Sequence, residues 1–203
     1  MFKTENNLPF DYMYLLDRLK NYARWRDKIT QLLRKGEIIR IRKGLYITPE
    51  TANPYLKEIL AGMIYGPSYI SLEYALAHYQ MIPEQIKVIT SVTTGKPNLY
   101  TTPVGVFTYR HLKKELYPLG VEYFASGNGG FFMASREKAL CDLIYYHSAA
   151  VKNEGADVFL LENMRFDPFE LAKIKIRVLA KWQKIYRLSA LEMVINFLRE
   201  GKK

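Results

Sequence analysis

A chain of 203 residues, 49% hydrophobic and 25% charged, is long enough for one large globular unit or a small module followed by a larger one. No run of 18 apolar residues, no basic-then-apolar leader in residues 1–7 and a single cysteine, Cys141, argue against a membrane span, a signal peptide and a disulfide or cysteine–zinc framework. The net charge of +10 favours a polyanionic partner, and it is concentrated: residues 18–43 carry ten bases against Asp27 and Glu37, and residues 172–203 nine against two acids.

Taken in chain order, Asp11 is placed to cap a helix running to about Asn21, with Tyr12, Leu15, Leu16 and Leu19 on one face. A second helix is predicted over about residues 24–35, stopped by Gly36. Residues 38–42 then alternate with period two, turn at Lys43-Gly44 and return as Leu45-Tyr46-Ile47. Helix, helix and a short basic hairpin is the layout of a winged helix-turn-helix, here over residues 1–48. Only ten residues precede the first helix, so the three-helix core is expected to be abbreviated or completed by the next domain.

Residues 49–54 read as a connector and 55–65 as a helix, and Ser71 is placed to cap a helix to about Met81, ended by Pro83. Strands are predicted over 87–93, 99–101 and 104–110. A hairpin of 121–124 and 130–134 is expected to turn at Ser126-Gly127-Asn128-Gly129. Ser135 should cap a helix to about His147 with Ala139, Leu140, Leu143 and Ile144 inward. The last fifty residues read as helical, with one long segment over about 167–186 and another over 189–200. The predicted fold class is α+β: a winged helix (1–48), a larger mixed α+β domain (54–203) and, within it, a helical tail (167–203).

On a wheel of about 100° per residue, the second helix turns Trp25, Ile29, Leu32 and Leu33 inward and Arg24, Lys28, Gln31 and Lys35 outward. A helix entering the major groove needs an apolar back and a face of long donors. Arg and Lys reach guanine or phosphate, and Gln pairs with adenine. A solvated face has the same pattern, with Arg34 and Lys35 complementing the helix dipole. Arg40, Arg42 and Lys43 at the hairpin tip favour the DNA reading, although edge strands also carry charge to discourage aggregation. Further on, Lys173, Arg177, Lys181, Lys184 and Arg187 share one face of the predicted long helix, opposite Leu171, Ile174, Val178, Trp182 and Ile185. That face serves equally as a second nucleic-acid contact, a surface for an acidic protein or a solvated exterior.

Signals for catalysis are poor. His78, His111 and His147 show no metal-ligand spacing. Thr94-Gly95-Lys96-Pro97 lacks the upstream glycine and the Ser/Thr of a phosphate loop, and Gly127–Gly130 opens no helix at dinucleotide spacing. Glu137 suits a helix first turn, and Cys141 packs as a small apolar residue. The expectation is therefore a cytoplasmic protein without enzymatic activity, catalytic residues, metal, cofactor or small-molecule substrate.

Three stretches resemble the AbiEi-type antitoxins of type IV toxin–antitoxin systems: residues 29–46; residues 66–76 with Ile82-Pro83-Glu84 and residues 89–93; and residues 107–111 with residues 134–143. The likeness spans roughly residues 10–147. It implies an antitoxin encoded beside a nucleotidyltransferase-like toxin of the AbiEii type, acting on it functionally or by direct contact. It also implies a winged helix that binds inverted repeats of double-stranded DNA in its own promoter and represses the operon. The DNA-binding role would fall on the arginines and lysines of the second helix and hairpin. Direct neutralisation of the toxin through the basic C-terminal helix is the alternative.

Overall fold

The computed structural model describes residues 8–51, 55–127 and 129–201. The expectations for the leader, for part of the 49–54 connector and for Asn128 in its turn fall outside these residues. The chain is a mixed α+β protein with a helical C-terminal region, and no helix among the described residues is long and apolar enough to cross a membrane.

The N-terminal elements follow from local signals. After β1 (Phe10–Asp11), the Asp11 carboxylate accepts from the Tyr14 N–H at 2.8 Å and opens α1 (Tyr12–Leu19), which buries Leu15 and Leu19. The second helix, α2 (Trp25–Arg34), buries Ile29 and Leu32. It ends in a Schellman motif: Gly36 takes φ +68°, and the N–H groups of Gly36 and Glu37 donate to the carbonyls of Leu33 and Leu32. A hairpin comes next, β2 (Ile39–Arg42) and β3 (Leu45–Ile47), with a register shift between Arg40 and Arg42. The two-residue β1, too short to leave a periodic signal in the sequence, pairs with β3 to give a three-stranded sheet of order β1-β3-β2.

Two apolar clusters flank that sheet. Phe10, Leu15, Leu19, Ile29, Leu32, Ile38 and Tyr46 form the smaller one. Ile41, Leu45 and Ile47 belong to the larger one that fills the rest of the chain. The hairpin is thus shared by both cores, which is why all three residues of β3 are buried.

The main body is built on a six-stranded sheet of order β6-β7-β5-β4-β9-β8. Its strands are β4 (Ser68–Ile70), β5 (Ile89–Thr93), β6 (Asn98–Thr102), β7 (Gly105–His111), β8 (Val121–Ser126) and β9 (Gly129–Ala134). The pairs β4–β9 and β5–β7 are parallel and the other three antiparallel. Strand β4 is absent from the predicted elements, because its three residues are all buried and show no alternation. Helix α3 (Leu56–Ile64) covers one face, where the Tyr109 hydroxyl donates to the Ala61 carbonyl at 2.6 Å. The opposite face carries α5 (Arg136–Tyr146), reached by the Tyr69 hydroxyl through Asp142 at 2.9 Å. As expected, Ser135 caps α5, accepting from the Lys138 N–H.

Two helix predictions need correction. The helix opened at Ser71 is α4 (Leu72–His78), shorter than the predicted run to Met81. Gln80 takes a left-handed φ of 59°, and the N–H groups of Gln80 and Met81 close onto Ala77 and Leu76, so a Schellman motif stops the helix before Pro83 is reached. Ser71 does not cap it, because its hydroxyl donates to Asp142 at 2.8 Å.

The predicted long helix over 167–186 is two helices, α7 (Pro168–Ala172) and α8 (Ile176–Tyr186), preceded by α6 (Ser148–Glu154) and a π-helical turn (Val158–Asn163). Between α7 and α8 the Ile174 side chain is fully buried and the Lys175 N–H donates to the Glu137 carboxylate at 3.0 Å. The break rotates α8, so Leu179 and Tyr186 face the core while Ile185, predicted inward, is exposed. Trp182 lies over Gly120, where a Cβ would clash with the indole, and this contact docks α8 on the 112–120 loop. The last helix, α9 (Ser189–Glu200), matches its predicted bounds.

Candidate nucleic-acid interface

Of the residues singled out on α2, Arg24, Gln31, Arg34 and Lys35 are exposed. Arg24 stands at the N-cap without a side-chain capping bond, and Lys35 is the C-cap. Lys28 is half-buried: its ammonium donates to the Gln31 amide oxygen at 3.2 Å and lies 5.2 Å from the centre of the Tyr22 ring. The inward stripe is as expected, with Ile29 and Leu32 buried and Trp25 and Leu33 half-buried. Ile29 and Leu32 share the small core with Ile38 and Tyr46, so one apolar cluster holds α2 against the hairpin.

On the hairpin, Arg40, Arg42 and Lys43 are all exposed but not equivalent. The Arg42 guanidinium donates to the Met63 carbonyl of α3 at 3.2 Å, tying the hairpin end to the main body, whereas Arg40 and Lys43 make no such contact among the described residues. No ion pair among the described residues engages Arg24, Arg34, Lys35, Arg40 or Lys43. Arg26, which the wheel did not select, is also exposed, its guanidinium 4.4 Å from the Trp25 ring centre. Stacking on an indole leaves the donor edge of an arginine open. A tryptophan followed directly by arginine was the available signal.

The second basic set divides at the helix break. Arg177, Lys181 and Lys184 on α8 and Arg187 at its C-cap are exposed and enter no ion pair among the described residues. Lys173 does not join them. It lies before the break, its ammonium 2.6 Å from Glu170, which also pairs with Arg136.

One polar cluster left no recognisable signal in the sequence. Lys138 and Asp142, one turn apart on α5, are both fully buried and paired at 2.8 Å. The Lys138 ammonium also donates to the Leu116 carbonyl and the Tyr186 hydroxyl, each at 2.7 Å. Asp142 accepts from the Tyr69, Ser71 and Tyr186 hydroxyls. Burial, then the neighbouring carboxylate, pushes the Tyr69 and Tyr186 phenols well above their ordinary range, so they stay protonated donors. Closed from solvent and fully hydrogen-bonded, this cluster braces β4, α4, α5 and α8 rather than meeting a substrate.

The histidines stand apart. His111 Nδ1 lies 2.9 Å from the Gly95 carbonyl, and His147 Nε2 lies 3.8 Å from Glu73. Among the described residues no group of three or more His, Cys, Asp or Glu is placed to hold a metal. Burial pushes the Glu73 carboxyl up, but the facing His147 ring, its own backbone N–H and the Arg110 charge outweigh this and hold it below the usual carboxylate range. A depressed carboxyl stabilises the fold above its unfolded pKa, near 4.3, and that contribution is lost as pH falls through the folded value. Glu73→Gln is therefore expected to flatten the acid side of the stability curve below about pH 5, read by urea unfolding at stepped pH. An unchanged slope would remove this role.

No protein-family model and no curated protein sequence matches the chain.

Proposed function

We propose that the protein binds double-stranded DNA through α2 and the β2–β3 hairpin in the manner of a winged helix. As the resemblance implies, it then acts as autorepressor and antitoxin of a type IV toxin–antitoxin operon. The carrying observation is the outer face of α2 and its hairpin, where Arg24, Arg34, Lys35, Arg40 and Lys43 stand in solvent with no ion pair among the described residues. A strand before α1 that pairs with the far strand of the hairpin supports the winged-helix reading, since it fixes the hairpin beside the helix pair. In this reading α2 enters the major groove with Gln31 at base edges, while Arg24, Arg34, Lys35, Arg40 and Lys43 contact phosphates. Arg42, tied to α3, sets where the hairpin stands.

The test is a mobility shift with the DNA upstream of the protein's own gene. If about five phosphates are neutralised, log K falls against log salt with a slope near −4.5. A flat salt response, or no preference for that DNA over an unrelated duplex, would sink the reading. The antitoxin role is tested by co-expression with the adjacent nucleotidyltransferase-like gene product, which this protein should render harmless.

A second reading has its own support in the four exposed, unpaired cations of α8 and its C-cap: direct capture of an acidic face on that toxin. Deleting residues 168–203 would strip Leu179, Tyr186, Leu191 and Val194 from the core, so charge reversal at Lys181 and Lys184 is the cleaner variant. Co-elution of toxin with the native protein and not with that variant would favour capture.

A further inference from the structure

A groove of about 580 Å³ opens between α3, β9 and the loop that precedes β8. Met63, Val121, Phe131 and Phe132 supply apolar walls, and Tyr117 adds a ring. None of its lining side chains is charged, in a chain where 25% of residues are. That lining offers no charged partner to a nucleotide or other ion, and the volume lies within the range of about 300–1,000 Å³ common for small-molecule sites. The Ser68 hydroxyl, which also lines the groove, donates to the Tyr65 carbonyl, whereas the Tyr117 hydroxyl makes no hydrogen bond among the described residues and is a polar handle for a ligand.

Gly62 is the second, independent observation. It lines the groove from within α3, its φ is not positive, and a Cβ built there would meet no atom within 4 Å. Glycine inside a helix is unfavourable relative to alanine, through its backbone entropy. Neither backbone conformation nor close packing in this chain requires it. A side chain there would stand at the wall of the groove.

We propose that this groove binds a neutral, aromatic small molecule, with its ring against Phe132 and Tyr117 and one polar atom at the Tyr117 hydroxyl. The site does not depend on the DNA reading, because its test contains no nucleic acid. Titrating the full chain with N-phenyl-1-naphthylamine, a neutral probe that brightens in apolar sites, should give a saturable one-to-one rise in fluorescence. Gly62→Leu, whose Cβ would meet no atom within 4 Å, adds bulk at the groove wall and should weaken binding by about tenfold or more, while Gly62→Ala should keep it within about threefold. Both should melt no lower than the native chain, since both raise helix propensity. Phe132→Lys, at a side chain already 54% exposed, places a charge on the wall and should act like Gly62→Leu. The proposal is overturned if no saturable binding occurs, or if binding survives Gly62→Leu and Phe132→Lys unchanged. It is also overturned if sedimentation shows self-association that Gly62→Leu abolishes, which would assign the groove to a second copy.

Discussion

Asp142→Ala is expected to cost about 3–5 kcal/mol of folding stability, a large share of the roughly 5–15 kcal/mol typical of a domain. The substitution leaves the Lys138 ammonium in a site with no solvent exposure and no carboxylate, compensated by the Leu116 carbonyl, the Tyr186 hydroxyl and the faces of the Tyr69 and Tyr186 rings. It also strips the acceptor from the Tyr69 and Ser71 hydroxyls. The partner substitution is predicted to be milder. In Lys138→Met the carboxylate keeps three hydroxyl donors, from Tyr69, Ser71 and Tyr186, and the thioether chain refills much of the lysine's volume. Replacing both at once, Lys138→Met with Asp142→Leu, should cost less than the sum of the two, because neither charge is then left alone. Urea unfolding of the four proteins gives the cycle directly. Strict additivity, or a loss below about 1 kcal/mol for Asp142→Ala, would mean the pair is hydrated and the brace is not what holds α8 in place.

The second large effect concerns affinity. Arg24→Glu with Lys35→Glu is expected to weaken binding to promoter DNA by at least roughly thirtyfold near 0.15 M salt. Counterion release sets that floor: two lost phosphate contacts remove about 1.5 log units, and reversal adds repulsion to the loss. Both side chains are exposed, so the fold should tolerate the change. Their effects on the helix dipole also oppose each other, since a carboxylate is favourable at the start of α2 and unfavourable at its end. Unchanged mobility-shift affinity in a variant with native melting would remove α2 as the reading helix. Lys28 is a poorer choice, because its contacts with Gln31 and Tyr22 make a reversal there ambiguous between lost DNA contact and local rearrangement.

What the residues alone determined about this protein is its short-range structure. The Asp11 and Ser135 caps, the Gly36 stop, the Lys43-Gly44 turn and the bounds of α9 all depend on side chains and backbone within about four residues of one another. Such signals survive without knowledge of the rest of the chain. The outward placement of Arg24, Gln31 and Lys35 was legible for the same reason, because helical periodicity is a local property, whereas Lys28, on the same stripe, is half-buried.

The tertiary structure decided the rest. It broke the predicted 167–186 helix where burying Ile174 and pairing the Lys175 N–H with Glu137 outweighed local propensity, and so separated Lys173 from the basic face of α8. It turned Arg42 onto the Met63 carbonyl, 21 residues away in sequence, while Arg40 and Lys43 stayed in solvent. It buried Lys138 and Asp142, a pair whose i, i+4 spacing reads equally well as an exposed salt bridge. A side chain's environment is set by elements that can lie more than 70 residues distant, as Tyr69 and Ser71 are from Asp142, and no window on the sequence contains both ends of that contact.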